Sequence, residues 1–186
     1  MTKIRLNILL IILLACYTNT FSQKTKLHVG DKIPLFELYN QYGRIFNSLN
    51  YIGKQKMVIC FYPKDESKLC TKQFCTIRDN IDKFKKLNTM IIGINSESIV
   101  NHKNFVIKNK LPITLLFDRN NEVQKMFGVP NNFNSKKPKR YTYIVNKKGI
   151  ITKIMYTKKN VESIITQTLE QLEQLEQLEQ LEQLER

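Results

Sequence analysis

The feature that most limits the fold is an apolar run followed directly by a helical pattern. Residues 57–62 read Met-Val-Ile-Cys-Phe-Tyr, and Pro63 ends the run. A short continuous apolar run that stops at a breaker is typical of a buried strand. From Cys70 onward the apolar residues fall three or four positions apart, which predicts a helix with one buried face: Phe74, Ile77, Ile81, Phe84 and Leu87. A buried strand leading into an amphipathic helix indicates an α/β fold.

The same alternation continues along the chain and closes with paired strands. We predict strands at 89–94 and 113–117, helices at 96–110 and 121–127, a late hairpin from 141–145 and 150–156, a final helix, and an N-terminal hairpin from 35–38 and 45–49. This order predicts a thioredoxin-like fold, with a mixed central sheet, helices on both faces and an N-terminal β-hairpin extension.

Residues 1–22 have the pattern of a targeting segment. A short basic start precedes an apolar run at 6–15, and polar residues follow it, as in an export signal. The run is shorter than the roughly 20 residues that span a bilayer. Two processing routes remain open: cleavage after Ser22, or lipidation of Cys16, which would attach the protein to a membrane. Both predict an exported protein with a bacterial-type signal, periplasmic or membrane-anchored, where disulfides can form.

Residues 169–186 are a low-complexity tail that repeats Leu-Glu-Gln. A strict spacing of three turns each leucine by about 300°, so the leucines move around a helix instead of forming one stripe. A coiled-coil seam needs an average spacing of 3.5 residues. We therefore expect the tail to pack on nothing, the folded domain to comprise residues 23–168, and the protein to be a monomer. An oligomerisation helix remains the alternative.

The chain is strongly basic, with a formal net charge of +14. Its lysines are scattered and no arginine-rich stretch is present, so we expect a solvated surface and no nucleic-acid partner. The densest cluster lies at residues 136–140 and ends in Arg140. A non-catalytic scaffold that binds an acidic partner through this surface remains a second functional hypothesis.

Four cysteines bear on the chemistry. Cys16 belongs to the predicted signal, and Cys60 lies inside the buried strand, where a small core residue is the expected interpretation. Cys70 and Cys75 lie at the start of the main helix, where free backbone N–H groups stabilise a thiolate and can hold a peroxide oxygen. Spacing alone leaves a reactive pair, a structural disulfide and two ordinary helix cysteines open.

Residues 58–79 resemble the active-site segment of peroxiredoxins, most of all the Q, or bacterioferritin-comigratory, type. In that family a proline is followed four residues later by Thr or Ser, and three residues further on by the peroxidatic cysteine. Pro63, Ser67 and Cys70 match this pattern. The resemblance therefore implies that Cys70 attacks the peroxide and that the Ser67 hydroxyl helps to orient it.

The resemblance extends over residues 26–165 and implies two further site residues. The Q type often has its resolving cysteine five residues after the first, which Cys75 matches. An arginine directly before the late strand reaches the peroxidatic cysteine in the family, and Arg140 matches it. The sequence departs from the family pattern at two points, and both bear on the rate of peroxide reduction more than on the reaction class. Lys68-Leu69 stands where the family usually has Pro-Gly, and Ser67 replaces the commoner threonine.

The family cycle implies a thiol-dependent peroxidase for hydrogen peroxide and organic hydroperoxides. Cys70 would form a sulfenic acid and then a disulfide with Cys75, and a thioredoxin-like dithiol would regenerate both thiols. No metal or organic cofactor is implied, and His28 and His102 are expected at the surface. A secreted thiol–disulfide oxidoreductase on the same fold is the main rival, although such proteins normally carry Cys-x-x-Cys.

Overall fold

The computed structural model describes residues 26–133 and 135–185. The predicted signal, with Cys16, lies outside them. Among the described residues no helix is both long enough and apolar enough to cross a membrane. Seven strands form one sheet: β1 (Glu37–Asn40), β2 (Ile45–Asn47), β3 (Lys56–Phe61), β4 (Thr89–Asn95), β5 (Thr114–Phe117), β6 (Tyr141–Val145) and β7 (Ile151–Tyr156).

The sheet is mixed and its order is β2-β1-β5-β4-β3-β6-β7. β3, β4 and β5 run parallel, and the remaining neighbours pair antiparallel. The helices are α1 (Lys68–Asp79), α2 (Ile81–Lys86), α3 (Ile99–Asn109), α4 (Glu122–Met126) and α5 (Val161–Leu184). α1, α2, α3 and α5 pack on one face, and α4 with the N-terminal segment covers the other. The predicted thioredoxin-like fold is confirmed.

The strand β3 is an interior strand, paired with β4 on one side and β6 on the other, and it leads into the loop before Cys70. All six of its residues are buried, as expected for a strand covered on both faces. Ser67 then takes an extended conformation, and Thr71 N–H donates to the Ser67 carbonyl at 2.9 Å to start α1. The predicted helix over 70–87 is two helices, because Asn80 leaves the helical conformation and its side chain donates to the Thr76 carbonyl.

The structure corrects the expectation that the Leu-Glu-Gln tail packs on nothing. α5 continues through the repeat to Leu184, and Leu169, Leu172 and Leu175 belong to the buried core. Three leucines at a spacing of three cover an arc of about 120°, which is as wide as an ordinary apolar stripe. Only the later leucines turn away from the domain. A boundary at residue 168 therefore falls inside a helix that belongs to the folded unit.

Candidate active site

Cys70 is the third residue of α1 and has no exposed surface. The N–H groups of the first helical residues have no acceptor within the helix, because the first helical bond is made by Thr71. These N–H groups and the positive end of the helix dipole lie next to the Cys70 backbone. The position therefore suits a sulfur that carries negative charge.

Arg140 reaches the Cys70 sulfur from the other side of the site. Its Nη1 and Nη2 groups each donate to Cys70 Sγ at 3.4 Å, and the side chain is buried. The sheet explains the meeting, because β3 and β6 pair antiparallel with Phe61 opposite Tyr141. The residue before β6 therefore lies at the end of β3 where the loop to Cys70 begins.

Gln73 completes the contact and was missed by the sequence analysis. Its Oε1 accepts a hydrogen bond from Arg140 Nη1 at 2.6 Å, and the side chain is fully buried. Gln73 lies three residues after Cys70, so both project from one face of α1. The sequence contains one indication of this role, because a glutamine lies among apolar positions on the buried face of the helix. Among the described residues, Arg140 Nε and Gln73 Nε2 are buried donors without a hydrogen-bond partner.

The other two predicted site residues lie near this centre but make different contacts. The Ser67 hydroxyl donates to the Lys64 carbonyl at 3.3 Å, and within the described part of the chain it makes no hydrogen bond to Cys70. Pro63 and Arg140 share a surface pocket of about 280 Å³ with Phe133 and Tyr156. Arg140 therefore borders an open pocket at the protein surface.

Cys75 is half-buried on the same helix and is a free thiol, like Cys70. Its sulfur lies 3.9 Å from Asn109 Oδ1, at the end of α3. Five residues of a helix separate two Cα atoms by roughly 8 Å and turn the side chains about 140° apart. A disulfide needs Cα atoms within about 7 Å and facing Cβ vectors. The folded helix therefore keeps the two cysteines apart.

Cys60 is the third described free cysteine and belongs to the core. Burial raises the pKa of the Cys60 thiol to about 12, although the Thr142 hydroxyl lies 3.9 Å from the sulfur. Because the thiolate is the nucleophile, a thiol with this pKa is unreactive near neutral pH.

A buried polar network lies beside the site, and it corrects the expectation that both histidines are at the surface. His28 is exposed, but His102 is fully buried. His102 Nδ1 lies 2.7 Å from Asp65 Oδ2, and the Tyr62 hydroxyl donates to Asp65 Oδ1 at 2.7 Å. Burial, with the nearby Asp65 carboxylate, raises the pKa of Tyr62 well above its usual value. The hydroxyl therefore stays protonated as a donor.

A cysteine at a helix N-terminus, with a buried arginine on its sulfur and a thioredoxin-like sheet behind it, is the arrangement of a thiol peroxidase. The AhpC/TSA family matches residues 29–154. The chain belongs to this family, as a peroxiredoxin of the Q, or bacterioferritin-comigratory, type. It is therefore a peroxidase of the oxidoreductase class.

Sequence relatives agree with this assignment, and solved structures agree with the fold. The chain is 39% identical over 150 residues to the chloroplastic peroxiredoxin Q of Sedum lineare, covering 81% of this chain and 78% of the relative. It is 40% identical over 145 residues to that of Arabidopsis thaliana, covering 78% and 67%. Peroxidoxin BcpB of Mycobacterium tuberculosis superposes with a TM-score of 0.74 at 23% identity, covering 79% and 97%. The bacterioferritin comigratory protein of Xanthomonas campestris gives 0.71 at 22% identity, covering 78% and 99%.

These relatives also correct the predicted location. The sequence pattern predicts a bacterial-type signal and a periplasmic or membrane-anchored protein. The curated relatives named here are chloroplastic proteins of plants, and this finding shows that the prediction was wrong. A basic start followed by a short apolar run does not by itself identify the destination of the protein.

Proposed function

We propose that this protein reduces hydroperoxides with Cys70 as the peroxidatic cysteine and Cys75 as the resolving cysteine. The observation that carries the proposal is the pair of 3.4 Å contacts from Arg140 to Cys70 Sγ. A guanidinium is always charged and donates through a planar fork, so it stabilises negative charge on sulfur. The same fork can donate to a peroxide oxygen as charge develops there.

In the first step the Cys70 thiolate attacks the terminal oxygen of the hydroperoxide. A sulfur–oxygen bond forms, the oxygen–oxygen bond breaks, and the alkoxide that leaves takes a proton to become an alcohol; hydrogen peroxide yields water. The unpartnered donors Arg140 Nε and Gln73 Nε2, with the helix N–H groups, are available to the two peroxide oxygens. Ser67 would assist after its hydroxyl turns from the Lys64 carbonyl.

In the second step the Cys75 thiol attacks the sulfenic acid, and water leaves as the disulfide forms. A thioredoxin-like dithiol then reduces this disulfide and becomes oxidised itself. Both cysteines belong to one chain, so one protomer carries the complete reacting pair, which supports the proposal of a monomer. No step needs a metal or an organic cofactor.

We propose that the substrates include organic hydroperoxides as well as hydrogen peroxide. The pocket beside Arg140 combines apolar side chains, among them Phe133 and Tyr156, with Lys139 and Lys158. This lining suits a peroxide with a hydrocarbon portion. The Xanthomonas campestris relative is described as having alkyl peroxide reduction activity, which supports the same substrate class.

Peroxide consumption with dithiothreitol as reductant tests the proposal. Cys70→Ser should abolish catalysis, whereas Cys60→Ala, which changes another fully buried cysteine, should retain it. In the absence of dithiothreitol, Cys75→Ser should reduce one equivalent of peroxide and then accumulate the sulfenic acid. Equal rates for the wild type and Cys70→Ser would reject the peroxidase assignment of Cys70, and a rapid exchange of disulfides without peroxide consumption would favour the rival oxidoreductase.

A further inference from the structure

The loop between β3 and α1 carries a buried carboxylate, which is unusual for a short connection. Asp65 is 2% exposed, although it lies only five residues before Cys70. Buried carboxylates need partners for both oxygens. Asp65 Oδ1 accepts from the Tyr62 hydroxyl at 2.7 Å and from Asn95 Nδ2 at 3.2 Å, and Oδ2 lies 2.7 Å from His102 Nδ1.

These bonds join the loop to elements that do not carry the reacting cysteines. Asn95 is the last residue of β4, and His102 is on the buried face of α3. The next residue in the loop, Glu66, has φ of +53°, a left-handed conformation that a non-glycine residue keeps only when its surroundings impose it. Asp65 therefore anchors the loop directly before the strained residue Glu66, and α1 begins shortly after Glu66.

The first turns of α1 must unwind during the catalytic cycle. Cys70 and Cys75 cannot bond while both lie in an intact helix. We expect the unwinding to extend from the loop that precedes α1 to Phe74 and Ile77, whose side chains are buried. Asp65 lies at the first end of this segment, so its bonds oppose the unwinding.

We propose that the Asp65–His102 contact, with the Tyr62 hydroxyl bond, is a latch that holds the Cys70 loop in its peroxide-reactive conformation and sets how fast Cys75 reaches the sulfenic acid. Asp65 and His102 are positioning residues, because they act through the loop and not on the peroxide. This inference rests on the proposed role of Cys75. It predicts that the latch governs the competition between disulfide formation and over-oxidation of Cys70 to sulfinic acid.

The test follows peroxide-treated protein by intact mass, with rapid alkylation, in the wild type, Asp65→Asn and His102→Gln. Losing one hydrogen bond to a charged group should open the segment about tenfold more often. Disulfide formation should accelerate by about tenfold, and the sulfinic acid formed per turnover should fall by a similar factor. The rate of the first reaction with peroxide should change less than about twofold while the folded loop predominates.

Two matched controls separate the latch from a general loss of stability. Lys108→Gln breaks an exposed ion pair with Glu66, at 2.7 Å, between the same loop and the same helix. Asp118→Asn changes a carboxylate that is also 2% exposed but caps α4 on the other face of the sheet. Neither should change the ratio of disulfide to sulfinic acid.

An unchanged ratio in folded Asp65→Asn and His102→Gln would overturn the proposal, and so would an equal change in Asp118→Asn. If both latch variants fail to fold, Tyr62→Phe removes one bond to Asp65 without opening a cavity, and it must shift the ratio in the same direction.

Cys75→Ser separates this inference from the proposed function. If the sulfenic acid decays equally in the wild type and Cys75→Ser, the role of Cys75 fails; if it decays differently and the latch variants match the wild type, only the latch fails.

Discussion

Arg140 directs both of its terminal nitrogens at the sulfur of Cys70, each at a distance of 3.4 Å. The guanidinium is held in place by Gln73, whose Oε1 accepts from Nη1 at 2.6 Å. A charge fixed beside the sulfur by a second buried side chain needs no reorganisation when peroxide arrives, which is the condition for efficient electrostatic stabilisation.

Arg140→Lys should lower kcat/KM for peroxide by roughly tenfold to a hundredfold, because a point charge replaces the planar fork. Some stability should also be lost, about 1–3 kcal/mol, because Gln73 loses a buried hydrogen bond. Steady-state kinetics and thermal unfolding measure the two effects. Arg119→Lys changes an exposed arginine and should alter neither. Wild-type kinetics in Arg140→Lys would mean that the 3.4 Å contacts do not serve catalysis.

Oxidation should loosen the first turns of α1. The reduced helix runs unbroken from Lys68 to Asp79, and its geometry cannot accept a bond between Cys70 and Cys75. Amide hydrogen exchange across residues 70–78 should therefore be faster in the oxidised protein than in the reduced one, with β3 unchanged as the internal reference. Equal protection in the two states would contradict the assignment of Cys75 as the resolving cysteine.

The two ends of the Leu-Glu-Gln repeat should respond differently to the same substitution. Leu172 is fully buried in the core, whereas Leu181 is 56% exposed in an identical sequence context. Leu172→Ala should cost about 2–5 kcal/mol, and Leu181→Ala less than about 0.5 kcal/mol. Denaturant unfolding measures both. Equal stabilities would mean that the repeat does not pack on the domain in solution.

The acidic residues of the repeat should stabilise a buried lysine. Lys56 is fully buried and pairs with Glu176 and with Glu179, the latter at 3.3 Å. Replacing both glutamates by glutamine leaves a buried charge without a partner and should cost about 3 kcal/mol or more. Lys56→Met should cost less, because the glutamates are partly exposed and Glu179 keeps Lys147 at 2.7 Å. The reverse order of unfolding free energies would contradict the ion-pair account.

The sequence predicted the parts of the molecule that depend on local pattern. The strand around Cys60 and the helix start at Cys70 follow from hydrophobic periodicity and chain breakers. The meeting of Cys70 with Arg140, 70 residues later, was expected only through resemblance to a family. Periodicity does not state which strands are neighbours, and this contact depends on the pairing of β3 with β6.

Two errors have physical causes that the sequence contained. His102 was expected at the surface, yet Phe105 and Val106 follow three and four residues later on the buried face of α3. The tail was treated as an isolated helix, for which the winding of the leucines gives no lasting stripe. A helix needs an apolar stripe only over the length that lies against the domain. The leucines from Leu169 to Leu175 provide a stripe of that length.

Peptide mapping of the oxidised protein tests the central claim most directly. One equivalent of hydrogen peroxide, alkylation and trypsin under non-reducing conditions should give the peptide of residues 69–72 joined to that of residues 73–78, because cleavage after Lys72 separates Cys70 from Cys75. The account predicts this linked pair as the main product, lighter than the two separate peptides by two hydrogen atoms. Two copies of the 69–72 peptide joined together, or a link from Cys70 to Cys60, would contradict it.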